Sequence, residues 1–245
     1  MAAGACVPIL TDLRVRLRRE VAEMDDAIAR LSGKITGRVA VGLLPFSEQE
    51  IVVQVFSGLL RAYPYLRLQA VTGSYSALTD ALRRGEIDCI IGPLRGQSAS
   101  EALQETVLLE EWLTIVSRKG HPRLRGETRV ADLVGETWIV GPHGTPTRHF
   151  LETLFLERGL TTPLNICEMV TFPLAERMVL ESDGIGLLTY SSRKRASLGE
   201  SLVPITCDFP DVVRHIGVTV QRGGAPSVPL QLFLEAIAGA ISVTR

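Results

Sequence analysis

The chain has 245 residues, of which 46% are apolar and 22% charged, with a formal net charge of -1. That composition suits a folded protein of one or two domains and excludes disordered and fibrous classes. A balanced charge gives the chain as a whole no electrostatic match to nucleic acid, so any DNA contact would need another segment. The four cysteines, Cys6, Cys89, Cys167 and Cys207, form no CxxC pair and read as reduced, mostly core thiols. The N-terminus carries no signal-peptide pattern and no apolar run long enough to span a bilayer, so the expected compartment is the cytoplasm.

In chain order, Leu10, Leu13, Leu17, Val21, Met24, Ile28 and Leu31 recur at spacings of three and four and predict one amphipathic helix. Its apolar stripe suits either a twin helix or the chain's own body. Ser32-Gly33-Lys34 and Gly37 separate it from the rest of the chain and favour the twin.

The body then alternates. A strand is predicted over 39–44, a helix over 47–62, a strand over 66–72, a helix over 77–84 and a strand over 88–92, the order of a parallel sheet with helical crossovers. Two extended pieces, 107–110 and 112–117, lead to Gly120-His121-Pro122. A second unit repeats the logic: strand 137–140, helix 146–158, strand 164–169, helix 172–182 and strand 185–189. Strands over 202–205 and 216–220 and a closing helix over 228–241 complete the pattern.

Enzyme chemistry finds no footing in this order, because GxSxG, HExxH and phosphate-loop patterns are all missing. Gly184-Ile185-Gly186 enters a strand instead of leaving one, and His143 and His149 read as surface or hydrogen-bonding histidines in preference to metal ligands. What stands out is four strand-to-helix turns, where ligands of open parallel sheets collect. They are Pro45-Phe46-Ser47, Gly73 to Ser76, Gly141 to Thr145, and Val170 to Pro173. Each opens a helix whose free amides suit an anion, although each also reads as a plain capping device. Glu48 and Glu50 compete for the first helix's dipole, which keeps a neutral polar ligand open.

Five segments carry a family resemblance. Gly37 to Gly42, Phe56 to Leu66 (FSGLLRAYPYL), Leu78 to Ile91 (LTDALRRGEIDCII), Gly120-His121-Pro122 and Ser182 to Leu188 together resemble the effector domain of LysR-type transcriptional regulators. The resemblance implies an α/β, two-lobed fold like that of type 2 periplasmic binding proteins, each lobe a mostly parallel sheet flanked by helices, after a long linker helix. The expected division is 1–35 for the linker and dimerisation helix, 36–118 with 222–245 for the first lobe, and 119–221 for the second. It implies an inducer held between the lobes and a homodimer or homotetramer that relays its presence. DNA would be bound only through a winged helix-turn-helix absent here, preceding the linker helix at which the chain starts, with RNA polymerase as a further partner.

Carried over from the family, Phe46, Ser47, Ser74, Pro93, His143, Thr145, Thr171 and Phe172 are the expected pocket residues, with no cofactor, metal or catalytic group. The third turn (GPHGTPTRHF) and Leu180 to Asp183 resemble a subgroup that includes regulators of sugar-binding-protein and aromatic-acid catabolic genes. A sugar, sugar acid or aromatic acid is therefore the expected inducer. The alternative reading is a solute-binding protein of a transport system, which resembles this fold.

Overall fold

The structure is a computed structural model that describes residues 24, 35–45, 50–96, 100–124, 127–191, 198, 201–223 and 225–242. The predicted helix over 10–31 lies outside the described residues apart from Met24, which is helical and 64% exposed. Two compact units are formed. The chain leaves unit 1 between Leu109 and Glu110 and returns between His215 and Ile216.

Unit 1 is built on β1 (Gly37–Leu43), β2 (Leu66–Thr72) and β3 (Cys89–Pro93), with the end of β9 (Val212–Gln221) and the start of β4 (Leu103–Arg118) beyond them. Strand β1 is central and pairs in parallel with β2 and β3, while β9 joins β3 in the antiparallel sense. Helices α1 (Glu50–Ala62), α2 (Tyr75–Arg83) and α5 (Val228–Ser242) cover the sheet. Val39, Val41, Cys89, Ile91, Val218, Leu59, Phe233 and Ile237 form one core, and Phe56 meets Phe233 edge-on at 5.8 Å. Leu78, Leu82, Ile87 and Ile90 form a second core with Ala40. Strands hidden on both faces read as unbroken apolar runs, as VAVGLL does here.

The turn from α2 into β3 explains the motif LTDALRRGEIDCII. Gly85 sits at φ 64°, a conformation an L side chain resists, and Glu86 N–H donates to Ala81 O at 2.9 Å to close the helix. Asp88 then engages both backbone groups of Ala40: its Oδ2 accepts from Ala40 N–H at 2.6 Å and its own N–H donates to Ala40 O at 2.7 Å. The acidic residue opens β3 by anchoring it to β1.

Unit 2 holds the rest of β4, β5 (Trp138–Val140), β6 (Ile166–Glu168), β7 (Ile185–Ser191), β8 (Leu202–Pro204) and the start of β9. Its order is β4, β7, β5, β6, with β8 on β4; β5 pairs in parallel with both β6 and β7, while β7 and β8 run antiparallel to β4. Helices α3 (Pro146–Glu157) and α4 (Phe172–Leu180) flank it. Trp138, fully buried, donates from Nε1 to Leu133 O at 2.9 Å and meets Phe155 edge-on at 5.6 Å. Ile139, Val179, Leu188 and Tyr190 form the core of the other face.

Two expectations change. The pieces 107–110 and 112–117 are parts of one strand of 16 residues, and the strand expected over 216–220 begins at Val212. Consequently the chain changes units inside β4 and β9, earlier in the chain than the turns at which sequence alone ends those strands. Of the three described cysteines only Cys89 is fully buried; Cys167 and Cys207 are half-buried, and all three are free thiols. Burial drives the Cys89 thiol well above its ordinary range and raises that of Cys207.

Candidate functional site

Parallel strands deliver their following turns to the same sheet edge. In unit 1, Leu43 lies opposite Thr72 and opposite Ile91, so the segments after β1, β2 and β3 share an edge. Phe46 and Ser47, from the first of them, lie outside the described residues. Ser74 caps α2, its Oγ accepting from Ala77 N–H at 3.3 Å and standing 3.1 Å from Ser76 Oγ. Pro93, half-buried, ends β3 opposite Ile216.

Arg95, to which no sequence motif points, stands with its guanidinium over the Tyr75 ring at 4.4 Å from the centroid. The loop bearing it is fastened by Glu105, whose two carboxylate oxygens accept from Arg95 N–H and Gly96 N–H at 3.0 and 2.9 Å. No acidic residue occupies the first turn of α2. The edge therefore combines two hydroxyls, a cation and the positive end of a helix, which together suit a carboxylate.

In unit 2, Val140 lies opposite Glu168, so the turns after β5 and β6 also share an edge. Thr145 caps α3: its Oγ1 donates to Pro142 O at 2.8 Å and accepts from Arg148 N–H at 3.4 Å, with Pro146 beginning the helix. His143 projects outward, its side chain 80% exposed, with Nδ1 3.6 Å from Glu152 Oε1. Arg148 bridges Glu152 at 2.6 Å and Glu168 at 3.4 Å, linking the two turns. The Arg148 hydrogen bond pulls the Glu152 carboxyl below its ordinary range. Thr171 caps α4 by position, yet its hydroxyl makes no capping bond. Phe172 turns inward, edge-on to Tyr190 at 5.5 Å.

Thus Ser74 and Pro93 share one edge of unit 1, and His143, Thr145, Thr171 and Phe172 share one edge of unit 2. Thr145 and Phe172 are already engaged in holding the fold. The sequence reading named neither residue: the i,i+4 spacing to Glu152 is the local signal that could have found Arg148, and nothing local marks Arg95. Among the described residues no group of three or more His, Cys, Asp or Glu is arranged to hold a metal ion.

Residues 32–242 match the model of the LysR substrate binding domain. The chain belongs to the LysR substrate-binding-domain family. The GalR transcriptional regulator of Pseudomonas putida is 24% identical over 228 residues, 92% of this chain and 57% of that protein. The GbpR regulator of Azospirillum brasilense is 31% identical over 165 residues, 66% of this chain and 47% of that protein. This chain thus spans about half the length of those relatives. Among solved structures, the BenM effector binding domain with its effector benzoate superposes with a TM-score of 0.62 at 21% identity, covering 84% of this chain and 93% of that one. The fold is therefore the α/β, periplasmic-binding-protein-like fold of LysR effector-binding domains, and the relatives are regulators and not enzymes. They do not favour the transport alternative.

The LysR landmarks themselves turn out to brace unit 2. His121, from Gly120-His121-Pro122, bonds to the Asp183 carbonyl, and Arg118 pairs with the Asp183 carboxylate. Ser182 donates to Met178 O at 2.6 Å and accepts from Gly184 N–H at 3.1 Å. Two of the five segments that carry the family resemblance are thus bonded to each other.

Proposed function

We propose that this chain is the effector-sensing part of a LysR-type transcriptional regulator and that its effector is a small organic carboxylate. Membership of the family carries the first half of the reading. The second half rests on Arg95, stacked on Tyr75 beside the N-terminus of α2, whose first turn lacks any acidic residue. Ser74 and Ser76, whose hydroxyls stand 3.1 Å apart on the same edge of unit 1, supply further donors. Of the expected inducers, sugar acids and aromatic acids carry the carboxylate that this cation and helix end favour; the benzoate bound to the BenM domain is of that kind.

In the whole protein, working in the cytoplasm, the bound state acts by differential affinity. Effector binds one arrangement of the chain more tightly and shifts the population towards it, and a DNA-binding domain reads the shift. The predicted helix over 10–31 joins two copies. Exposed Val53 and Leu60, seven positions apart on α1, support a surface for a second copy.

Titration calorimetry with benzoate, gluconate and galactose tests the ligand class. At least one carboxylate is expected to bind, and Arg95→Ala to weaken it about tenfold to a hundredfold, the worth of one charge-assisted hydrogen bond. Binding of galactose alone, or carboxylate affinity unchanged in Arg95→Ala, overturns the carboxylate reading.

A further inference from the structure

Glu111 is only 1% exposed, although it carries a carboxylate. Arg214 holds it from the neighbouring strand, Nε at 3.1 Å and Nη2 at 2.9 Å from Glu111 Oε2. The same Nη2 donates to Thr189 Oγ1 at 2.8 Å. The trio draws one side chain from each of β4, β9 and β7. Beside it, His215 Nε2 stands 3.4 Å from Glu110 Oε1. These contacts lie at the unit 2 end of both strands by which the chain passes between units.

An apolar pair of similar size would hold such a place at least as well, because burying charges costs desolvation that their attraction only partly returns. What the charged pair adds is direction. A guanidinium fork meets a carboxylate and a hydroxyl together in one register, whereas aliphatic contacts tolerate a slip. We propose that Glu111, Arg214 and Thr189 form a register lock that fastens β9 to β4 and β7 where the chain leaves unit 2, so that the two crossing strands depart as one ribbon.

Hydrogen exchange on the full chain, read by mass spectrometry, tests this. Arg214→Met is expected to raise exchange at least tenfold in 212–216 and in 110–112 together, while 138–140 keep wild-type protection. Arg214→Lys, which retains one donor, should recover part of the protection, and Thr189→Val should raise exchange in 212–216 by less. The double variant Glu111→Met with Arg214→Met separates direction from packing: thermal stability at or above wild type with 212–216 still unprotected supports the lock. Wild-type exchange in the double variant, or a rise in Arg214→Met confined to 212–216, overturns it. Should Arg214→Met not fold, Arg214→Lys and Thr189→Val both matching wild type overturns it equally.

Discussion

The His121 ring is 2% exposed and both of its nitrogens are used. Nδ1 accepts from Arg123 N–H at 3.2 Å, so Nε2 carries the proton and donates to Asp183 O at 3.0 Å. Removing the ring leaves a buried carbonyl and an amide without these partners. His121→Ala is therefore expected to lower stability by about 2 kcal/mol, checked by urea denaturation. Gly217 makes a different demand: a Cβ there would lie 2.2 Å from the Thr106 carbonyl oxygen, so only glycine lets β9 pass so close to β4. Sequence revealed that residues 120–122 and 182–188 mattered, yet not why. A short motif shows residue types, whereas the bond between His121 and Asp183 spans 62 positions.

Helix starts were legible where a local device marks them: Thr145 and Pro146 announce α3 at the expected position, whereas α2 begins at Tyr75, behind its Ser74 cap and two residues before the expected 77. The long strands were not. Adjacent Glu110 and Glu111 interrupt an apolar run, and sequence therefore splits β4 into two pieces. The structure keeps it whole because Arg214 takes the buried Glu111 charge, and the same partnership extends β9 back to Val212. The 3-10 turn Val130–Leu133 is held by a charge from far along the chain. Asp208 Oδ1 accepts from Val130 N–H at 2.7 Å, and Oδ2 accepts from Arg158 Nη1, also at 2.7 Å. The Val130 amide first, and Arg158 after it, lower the Asp208 carboxyl below its reference value of 3.8. A lowered carboxyl gives stability that is complete above that reference value and is lost as pH falls through the lower folded value. Acid titration should therefore loosen the turn only below about pH 4, and Asp208→Asn should loosen it at neutral pH as well. Amide exchange of Val130 measures both, and equal protection in the variant at pH 7 would refute the assignment.

The molecule as a whole carries separate cores, and the principal cores of units 1 and 2 share no residue. Trp138→Ala should cost about 3–5 kcal/mol by emptying the centre of unit 2. Exchange should then rise at 138–140 and 185–187 while 39–43 keep their protection; a uniform rise across both units would contradict that separation. The candidate site was legible to the extent that it depends on connectivity. Alternating strands and helices place turns at the carboxyl ends of parallel strands, and Ser74, Pro93, His143, Thr145, Thr171 and Phe172 all fall at such ends. Sequence by itself determined the α/β order, the starts of α3 and α4 and the family segments, since each is written within a window of about fifteen residues. Only the tertiary structure decided that Arg95 lies over Tyr75, that Phe172 turns inward to Tyr190, and that the chain changes units inside β4 and β9. Those outcomes turn on partners remote in the chain, such as Glu111 and Arg214, 103 positions apart, and no local pattern encodes which distant charge a buried carboxylate will meet.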